Sequence, residues 1–268
     1  MARPGRKPGA GGLAGLRALV TGASSGIGAA TARALAGYGV RVAVAGRDLA
    51  ALRAVAADTS AVCIPGDLRD RDTPRQTVHT ARGELGGLDL VVSNARIGWA
   101  GSFASMTETD IDTLIDVNLR AAAHIARAAI PFLEPGVGRI VFVGSIAGLV
   151  GVPGEAWYSA TKAGLSCLAE MLRAELGPRG IGVTLVSPGV VDTAFFERRR
   201  VPYARQHPRL MSAQVAADAI VEAVRWGRDD VVLPAWLSFP ARLKVNFPGV
   251  YKVLAARFAG PPPEVTSG

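Results

Sequence analysis

A doubly wound α/β fold, three layers deep around a seven-stranded parallel sheet, is the architecture this sequence predicts. Three observations carry it. Short apolar runs rich in Val, Ile and Leu alternate with longer helical segments along most of the chain. The first run ends in a glycine-rich turn that opens a helix. Finally, the 268 residues, 49% hydrophobic and 19% charged, can bury one substantial core, with no repeat or long linker to divide it.

The elements follow in order. "LRALVTG" reads as a buried strand that stops at Thr21-Gly22, and "GIGAATARALAGYG" as a helix broken by Gly37 and Gly39. "VRVAVAGR" is the second strand and "DLAALRAVAAD" the second helix, followed by strand "AVCIPGDL", helix "RDTPRQTVHTARGELG" and strand "LDLVVSNA". Residues 107–132 are helical material broken near Pro131, and "GRIVFVGSIAG" is the fifth strand with its loop. A helix spans 155–176, "GIGVTLVSPGVVDT" is the sixth strand and a loop, and Ser212 caps a helix in "SAQVAADAIVEAVRWG". "DDVVLP" is a short seventh strand. The expected divisions are a basic lead over 1–14, a catalytic domain over 15–235 with a substrate loop at 190–212, and an apolar-basic extension over 236–268. That extension can cap a pocket, join a subunit interface or lie against lipid.

Composition removes several function classes. No charge-free run exceeds 15 residues, short for a membrane span, and the opening "MARPGRKPGAGGLAGL" lacks the continuous apolar core of a secretion signal. A cytoplasmic location is expected, with peripheral membrane contact as its variant. Cys63 and Cys167 make no disulfide framework and are expected as buried thiols, and His79, His124 and His207 lack ligand spacing, so no metal site is expected. The net charge of +8 is spread over scattered arginines, with 11 Lys/Arg against 5 Asp/Glu in 195–258. It suits an anionic cofactor or lipid surface. No zinc-finger or aromatic-basic signature points to nucleic acid.

"TGASSGIG" places Gly22, Ser24, Ser25, Gly26, Ile27 and Gly28 at the first strand-to-helix turn. Missing Cβ atoms let a dinucleotide diphosphate approach the helix N-terminus, whose free N–H groups favour anions. No GK[S/T] follows, so this is not a nucleoside-triphosphate loop. After the second strand, Arg47 offers planar donors suited to a ribose 2′-phosphate, which favours NADP(H), with NAD(H) the alternative. Asp48 either opposes that phosphate, bonds a 2′-hydroxyl, or caps the next helix. Asp67 is placed to bond the adenine amine or to cap a helix, and Leu68 to pack on the ring.

"EAWYSATKAG" puts Tyr158 and Lys162 four residues apart, on one helix face. Such a pair is either surface decoration or an acid whose pKa a neighbouring cation controls. The ordered series "TGASSGIG", "SNAR", "VNL", "VGSIAG", "YSATK" and "SPGVVDT", over about residues 16–193, resembles the short-chain dehydrogenase/reductase family. The resemblance implies a Rossmann-like seven-stranded subunit, a nicotinamide cofactor and hydride exchange with an alcohol or carbonyl. It also implies Ser145, Tyr158 and Lys162 as a catalytic trio, Asn118 completing a tetrad, and Lys162 on the nicotinamide ribose. Asn94 and Ala95 match the family's Asn-Asn-Ala-Gly segment, and Pro188, Gly189, Val191 and Thr193 the loop that closes on nicotinamide.

The chemistry is consistent with those assignments. Carbonyl reduction needs hydride at carbon and a proton at oxygen. A phenol with an ordinary pKa of about 10 becomes a usable acid/base when cations favour its phenolate. Ser145 can bond the substrate oxygen, and Asn118 can organise a water-linked proton route to Lys162. A serine hydrolase is not supported, since "GSIAG" is no GxSxG elbow. One departure stands out: Arg96 occupies the place of the family's final glycine. It narrows the cofactor cleft, shifts the backbone, points outward, or contacts a phosphate or substrate. Phe195, Phe196, Tyr203 and Met211 suggest an apolar lid. With Ile146, Val152, Trp157, Trp99 and Trp236 they indicate a hydrophobic carbonyl or alcohol substrate. The reading is an NADP(H)-dependent oxidoreductase interconverting a secondary alcohol and a ketone, as a homodimer or homotetramer. The alternative is a catalytically weak nucleotide-binding regulatory or scaffold protein.

Overall fold

The computed structural model describes residues 12–199 and 208–258. Seven strands form one parallel sheet: β1 (Arg17–Thr21), β2 (Arg41–Gly46), β3 (Val62–Pro65), β4 (Leu90–Ser93), β5 (Arg139–Val143), β6 (Gly182–Pro188) and, last in chain order, β9 (Asp230–Leu233). Their spatial order is β3-β2-β1-β4-β5-β6-β9. The chain therefore winds outward from β1 in one direction and from β4 in the other, leaving a crevice where the carboxyl ends of these two strands diverge. Between β6 and β9, β7 (Val191–Asp192) and β8 (Met211–Ser212) pair as a separate two-stranded ribbon.

The three layers follow from the period of two along each strand. Ala18 and Val20 point into a core shared with α1 (Gly26–Gly37), α2 (Leu49–Thr59) and α9 (Ala213–Arg225). Leu19, between them, points to the opposite core with α3 (Thr73–Leu85) and α5 (Ala121–Ala129). Ile140, Phe142, Val183 and Leu185 extend that second face beneath α7 (Ala156–Leu176). Strands buried on both faces need continuous apolar runs, and β4 and β5 are buried at every position.

The helix starts are set by the side chains the sequence offers there. Asp48 accepts a bond from the Ala51 amide at 3.0 Å, and Ser212 from the Val215 amide at 3.4 Å. Asp48 is thus the cap of α2. The segment 107–132 is divided into α4 (Glu108–Ile115), a π-helical turn (Asp116–Arg120), α5 and a 3-10 turn at Ile130–Phe132. A π-turn inserts one residue into the helical ladder, and this one carries Asn118 inward, where it is buried. α6 (Ile146–Val150) follows β5, and α8 (Phe195–Arg198) follows β7. Beyond β9, α10 (Ser238–Asn246) and α11 (Pro248–Phe258) form the helical end of the described chain.

The expectation of buried thiols is corrected at one position. Cys167 is exposed on α7, while Cys63 is half-buried; a helix that packs one face on the sheet leaves the other in solvent. Tyr203 and most of the basic lead lie outside the described residues. No described helix is long and apolar enough to cross a membrane.

Candidate active site

Two adjoining cavities open at the carboxyl ends of the strands. The first, about 370 Å³, runs along the turn between β1 and α1. Gly22, Ser24, Ser25 and Gly26 form its floor, Arg47, Asp67 and Leu68 one end, and Asn94, Ala95 and Thr193 the other. The second, about 610 Å³, is more apolar and is bordered by Ser145, Tyr158, Ile27, Pro188, Gly189 and Val191. Ile27 was expected in the cofactor set; its backbone belongs to the glycine turn, but its side chain faces this second cavity.

Backbone geometry explains the glycines. Gly22 has a positive φ of 62°, and a Cβ there would lie 2.7 Å from Ala95 Cα. At Gly28, which lines neither cavity, a Cβ would lie 2.3 Å from the Gly22 carbonyl oxygen and 2.5 Å from Asn94 Nδ2. Asn94 ties the end of β4 to this turn, donating to the carbonyls of Thr21 and Gly22 at 3.0 and 3.1 Å. Thr21 completes the knot, its hydroxyl accepting from the amides of Asn94 and Ala95. The sequence reading missed Thr21; a lone threonine at a strand end carries no signal of its own.

Asp67 is engaged by its neighbour. Arg69 approaches its carboxylate at 2.5 Å and its own amide donates to Oδ1 at 3.0 Å, which holds the Asp67 pKa below its ordinary value. Arg47 is exposed at the rim of the same end of the cleft.

At the second cavity, Ser145 has two engagements. Its hydroxyl accepts from the Ala147 amide at 3.1 Å, capping α6, and it shares the cavity wall with Tyr158. Burial pushes the Tyr158 pKa above its ordinary value, opposed first by the Arg96 charge and then by Ser145. Lys162 lies behind Tyr158, lining neither cavity, with Nζ donating to the Val143 carbonyl at 3.0 Å. Burial, reinforced by Arg96, lowers its pKa to about 7. The foremost cation acting on the Tyr158 phenol is Arg96.

Asn118 also stands outside both cavities. Its Oδ1 accepts from the Ile97 amide at 2.9 Å, and its Nδ2 donates to the Ile97 carbonyl and to Thr161 Oγ1 at 3.0 and 3.2 Å. The side chain joins the loop after β4 to α7, so its amide is a clamp between the two walls of the site.

The residues after β6 close the site from above. Phe195 borders both cavities, its ring 5.8 Å from that of Tyr158 and packed against Gly98, where a Cβ would come within 2.3 Å of it. Phe196, Ile146 and Val152 line the second cavity as expected for a lid and wall. Arg199 pairs with Glu155 at 2.5 Å and lies 4.6 Å over the Phe196 ring, fastening the lid to the start of α7. Met211 packs instead on the core near α1 and α9, and Trp236 is exposed. Trp99 and Trp157 support the site from behind, with Trp157 Nε1 donating to the Ile111 carbonyl at 2.9 Å. From the turn before α10 comes Leu237, and from α11 come Tyr251 and Ala255, none of which a sequence motif marked.

The short chain dehydrogenase family profile matches residues 17–203. An uncharacterized oxidoreductase of Myxococcus xanthus is 35% identical over 246 residues, covering 90% of this chain and 96% of the relative. A short chain dehydrogenase from Burkholderia cenocepacia, solved in complex with NADP, superposes with a TM-score of 0.76 at 35% identity, covering 83% of this chain and 97% of that one. A 3-ketoacyl-(acyl-carrier-protein) reductase from Brucella melitensis, complexed with NADH, gives 0.75 at 25% identity, with 82% and 97% covered. With its strand order, its glycine turn and its Ser-Tyr-Lys constellation in place, the chain belongs to the short-chain dehydrogenase family of oxidoreductases.

Proposed function

We propose that the protein interconverts a secondary alcohol and a ketone using NADP(H), with Tyr158 as general acid and base. The observation that carries the proposal is the meeting of Tyr158 and Ser145 on one cavity wall, beside a second cavity whose floor only glycine permits. That floor, with the first turn of α1 above it, fits a dinucleotide diphosphate. A nicotinamide cofactor, held along Gly22, Ser24, Ser25 and Gly26, would supply or accept the hydride at the substrate carbon. In reduction, Ser145 holds the carbonyl oxygen and Tyr158 delivers a proton to it; in oxidation, Tyr158 takes that proton back. Lys162, with a pKa of about 7, can return a proton to the phenol near neutrality. Asn118 holds the loop after β4 against α7. Arg47 supports the choice of NADP(H), and the Asp48 carboxylate is turned to the Ala51 amide as a helix cap.

The apolar wall of Ile146, Val150, Val152, Phe196 and Leu237 favours a hydrophobic carbonyl or alcohol. A screen of such compounds with NADPH and NADH, using Tyr158→Phe as control, tests the whole reading. Faster turnover with NADPH and loss in the variant is the expected result. Equal use of NADH would overturn the role of Arg47; cofactor binding without turnover of any carbonyl would favour a regulatory or scaffold protein.

Peripheral membrane contact is the second part of the proposal. Phe239, Val245, Phe247 and Val253 on α10 and α11 and in the turn joining them are each more than 60% exposed. No acidic residue occurs from 231 to 263, whereas Arg242, Lys244, Lys252 and Arg257 do. An apolar surface with only positive charge matches an anionic bilayer. Sedimentation with anionic vesicles at low salt, lost at high salt and absent with neutral vesicles, is expected; no sedimentation at low salt removes the idea. A homodimer or homotetramer in the cytoplasm completes the proposal, checked by light scattering and fractionation. The exposed thiol of Cys167 suits such a reducing compartment.

A further inference from the structure

Two arginines converge on the cleft above the glycine turn: Arg96, the departure from the family pattern at the end of "SNAR", and Arg198, which lies outside the motif series. Arg96 enters from the loop after β4, and Arg198 from α8 in the lid. The Arg96 guanidinium is enclosed by protein except where it faces the two cavities. It lies 5.2 Å over the Phe195 ring and donates from Nη1 to Asn94 Oδ1 at 3.2 Å. Arg198 donates from Nη2 to the Ser25 hydroxyl at 3.1 Å, on the turn itself.

Among the described residues neither guanidinium makes an ion pair with a carboxylate, and the two repel each other. Arg96 is half-buried and Arg198 exposed; a partly desolvated cation without a counter-charge is costly, and a like charge beside it adds to the cost. Lys162 and Arg139, also buried and also without an ion pair, spend donors on the Val143 carbonyl and the Thr184 hydroxyl and line neither cavity, whereas Arg96 and Arg198 both face the open cleft. Among the described residues Glu197, next to Arg198 in the chain, makes no ion pair with either guanidinium, which leaves both able to meet an anion in the cleft. That anion must be multiply charged, must fit against Ser25 and Gly26, and must accept planar donors from two sides.

We propose that Arg96 and Arg198 form a two-armed guanidinium clamp that grips a diphosphate on the glycine turn. The proposal rests on the dinucleotide reading above and assigns to it two residues of this chain that the family pattern does not supply. Because Arg198 rides on the lid with Phe195, diphosphate capture also draws the lid toward the turn. Arg96 then exchanges part of its contact with the Phe195 ring for a charge-assisted bond to phosphate oxygen.

The test is equilibrium binding to the intact protein, read by calorimetry and by NADPH fluorescence, with no turnover required. The probes are NADPH, NADH, ADP, AMP and inorganic diphosphate. Arg96→Gln and Arg198→Gln are each expected to weaken NADPH, NADH and ADP by about 10- to 100-fold, the range for losing a bond to a charged group. The loss should be equal for NADPH and NADH, since the 2′-phosphate is not involved, and much smaller for AMP. Inorganic diphosphate binding that both variants lose would place the recognition in the diphosphate alone; its retention by the variants would count against the clamp. Arg96→Lys and Arg198→Lys are expected to recover part of the affinity, and melting curves establish that each variant is folded. If the wild-type protein binds dinucleotide and the folded variants bind it within twofold, the clamp is wrong. If the wild-type protein binds none, the dinucleotide reading fails instead.

Discussion

The two cavities are built from different materials. The dinucleotide cleft is mostly backbone: strand ends, glycines and the first turn of α1, contributed by β1, β2, β3 and β4. The substrate pocket is mostly side chain, gathered from α6, α7, the lid and the C-terminal helices. The glycine turn tolerates little change, because a carbon added at Gly22 or Gly28 collides with backbone. A side-chain site can be rebuilt residue by residue while the fold stays the same.

Substitutions that damage one cavity and spare the other sharpen the contrast. The largest effect is expected for Tyr158→Phe, which should lower turnover by about 100-fold or more while dinucleotide affinity stays within twofold. If affinity falls with turnover, the cavities are not separable. Gly28→Ala should do the reverse. Its new Cβ would meet the Gly22 carbonyl oxygen at 2.3 Å, so the turn must shift. The expected cost is about 1–3 kcal/mol of stability together with weaker NADPH binding, read by melting and fluorescence titration. A variant as stable and as tight as wild type would show that the turn is adaptable.

Lys162 gives the smallest effect and one with a pH signature. Its pKa falls from an ordinary 10.5 to about 7 in the folded protein. Between those values the unfolded chain holds a proton that the folded one has released, so folding gains stability as pH rises from about 7 to 10.5. Below about 7 the cost of burying the charge is fully present. Lys162→Met should therefore melt higher than wild type at pH 6, by about 3 °C or more, and the gap should close toward pH 10. A gap that is constant with pH would mean that Lys162 is not desolvated as its surroundings indicate.

The same contrast governs what was legible in the sequence. Every strand of the main sheet is foreshadowed by an apolar run, because strands covered on both faces can hold little else. Gly22, Gly26 and Asn94 were legible because the turn that needs them is local. The role of the Asn118 side chain was not: its bonds to Ile97 and Thr161 span 21 and 43 residues, and only the π-turn aims it there. The order of cations around Tyr158 was also hidden, since Arg96 reaches the phenol through space and not along a helix. Tyr251 and Ala255 were invisible for the same reason, as a pocket wall formed by a distant helix leaves no spacing pattern.

The short helix α6 has a mechanical consequence. Its first turn is capped by Ser145, and at its other end the Leu149 and Val150 carbonyls accept from Lys244 Nζ and the Tyr251 hydroxyl at 3.1 and 3.0 Å. Five residues of helix act as a stiff lever about 7.5 Å long, at 1.5 Å per residue. Lys244 and Tyr251 thus moor the C-terminal helices to the far end of the helix whose near end Ser145 caps.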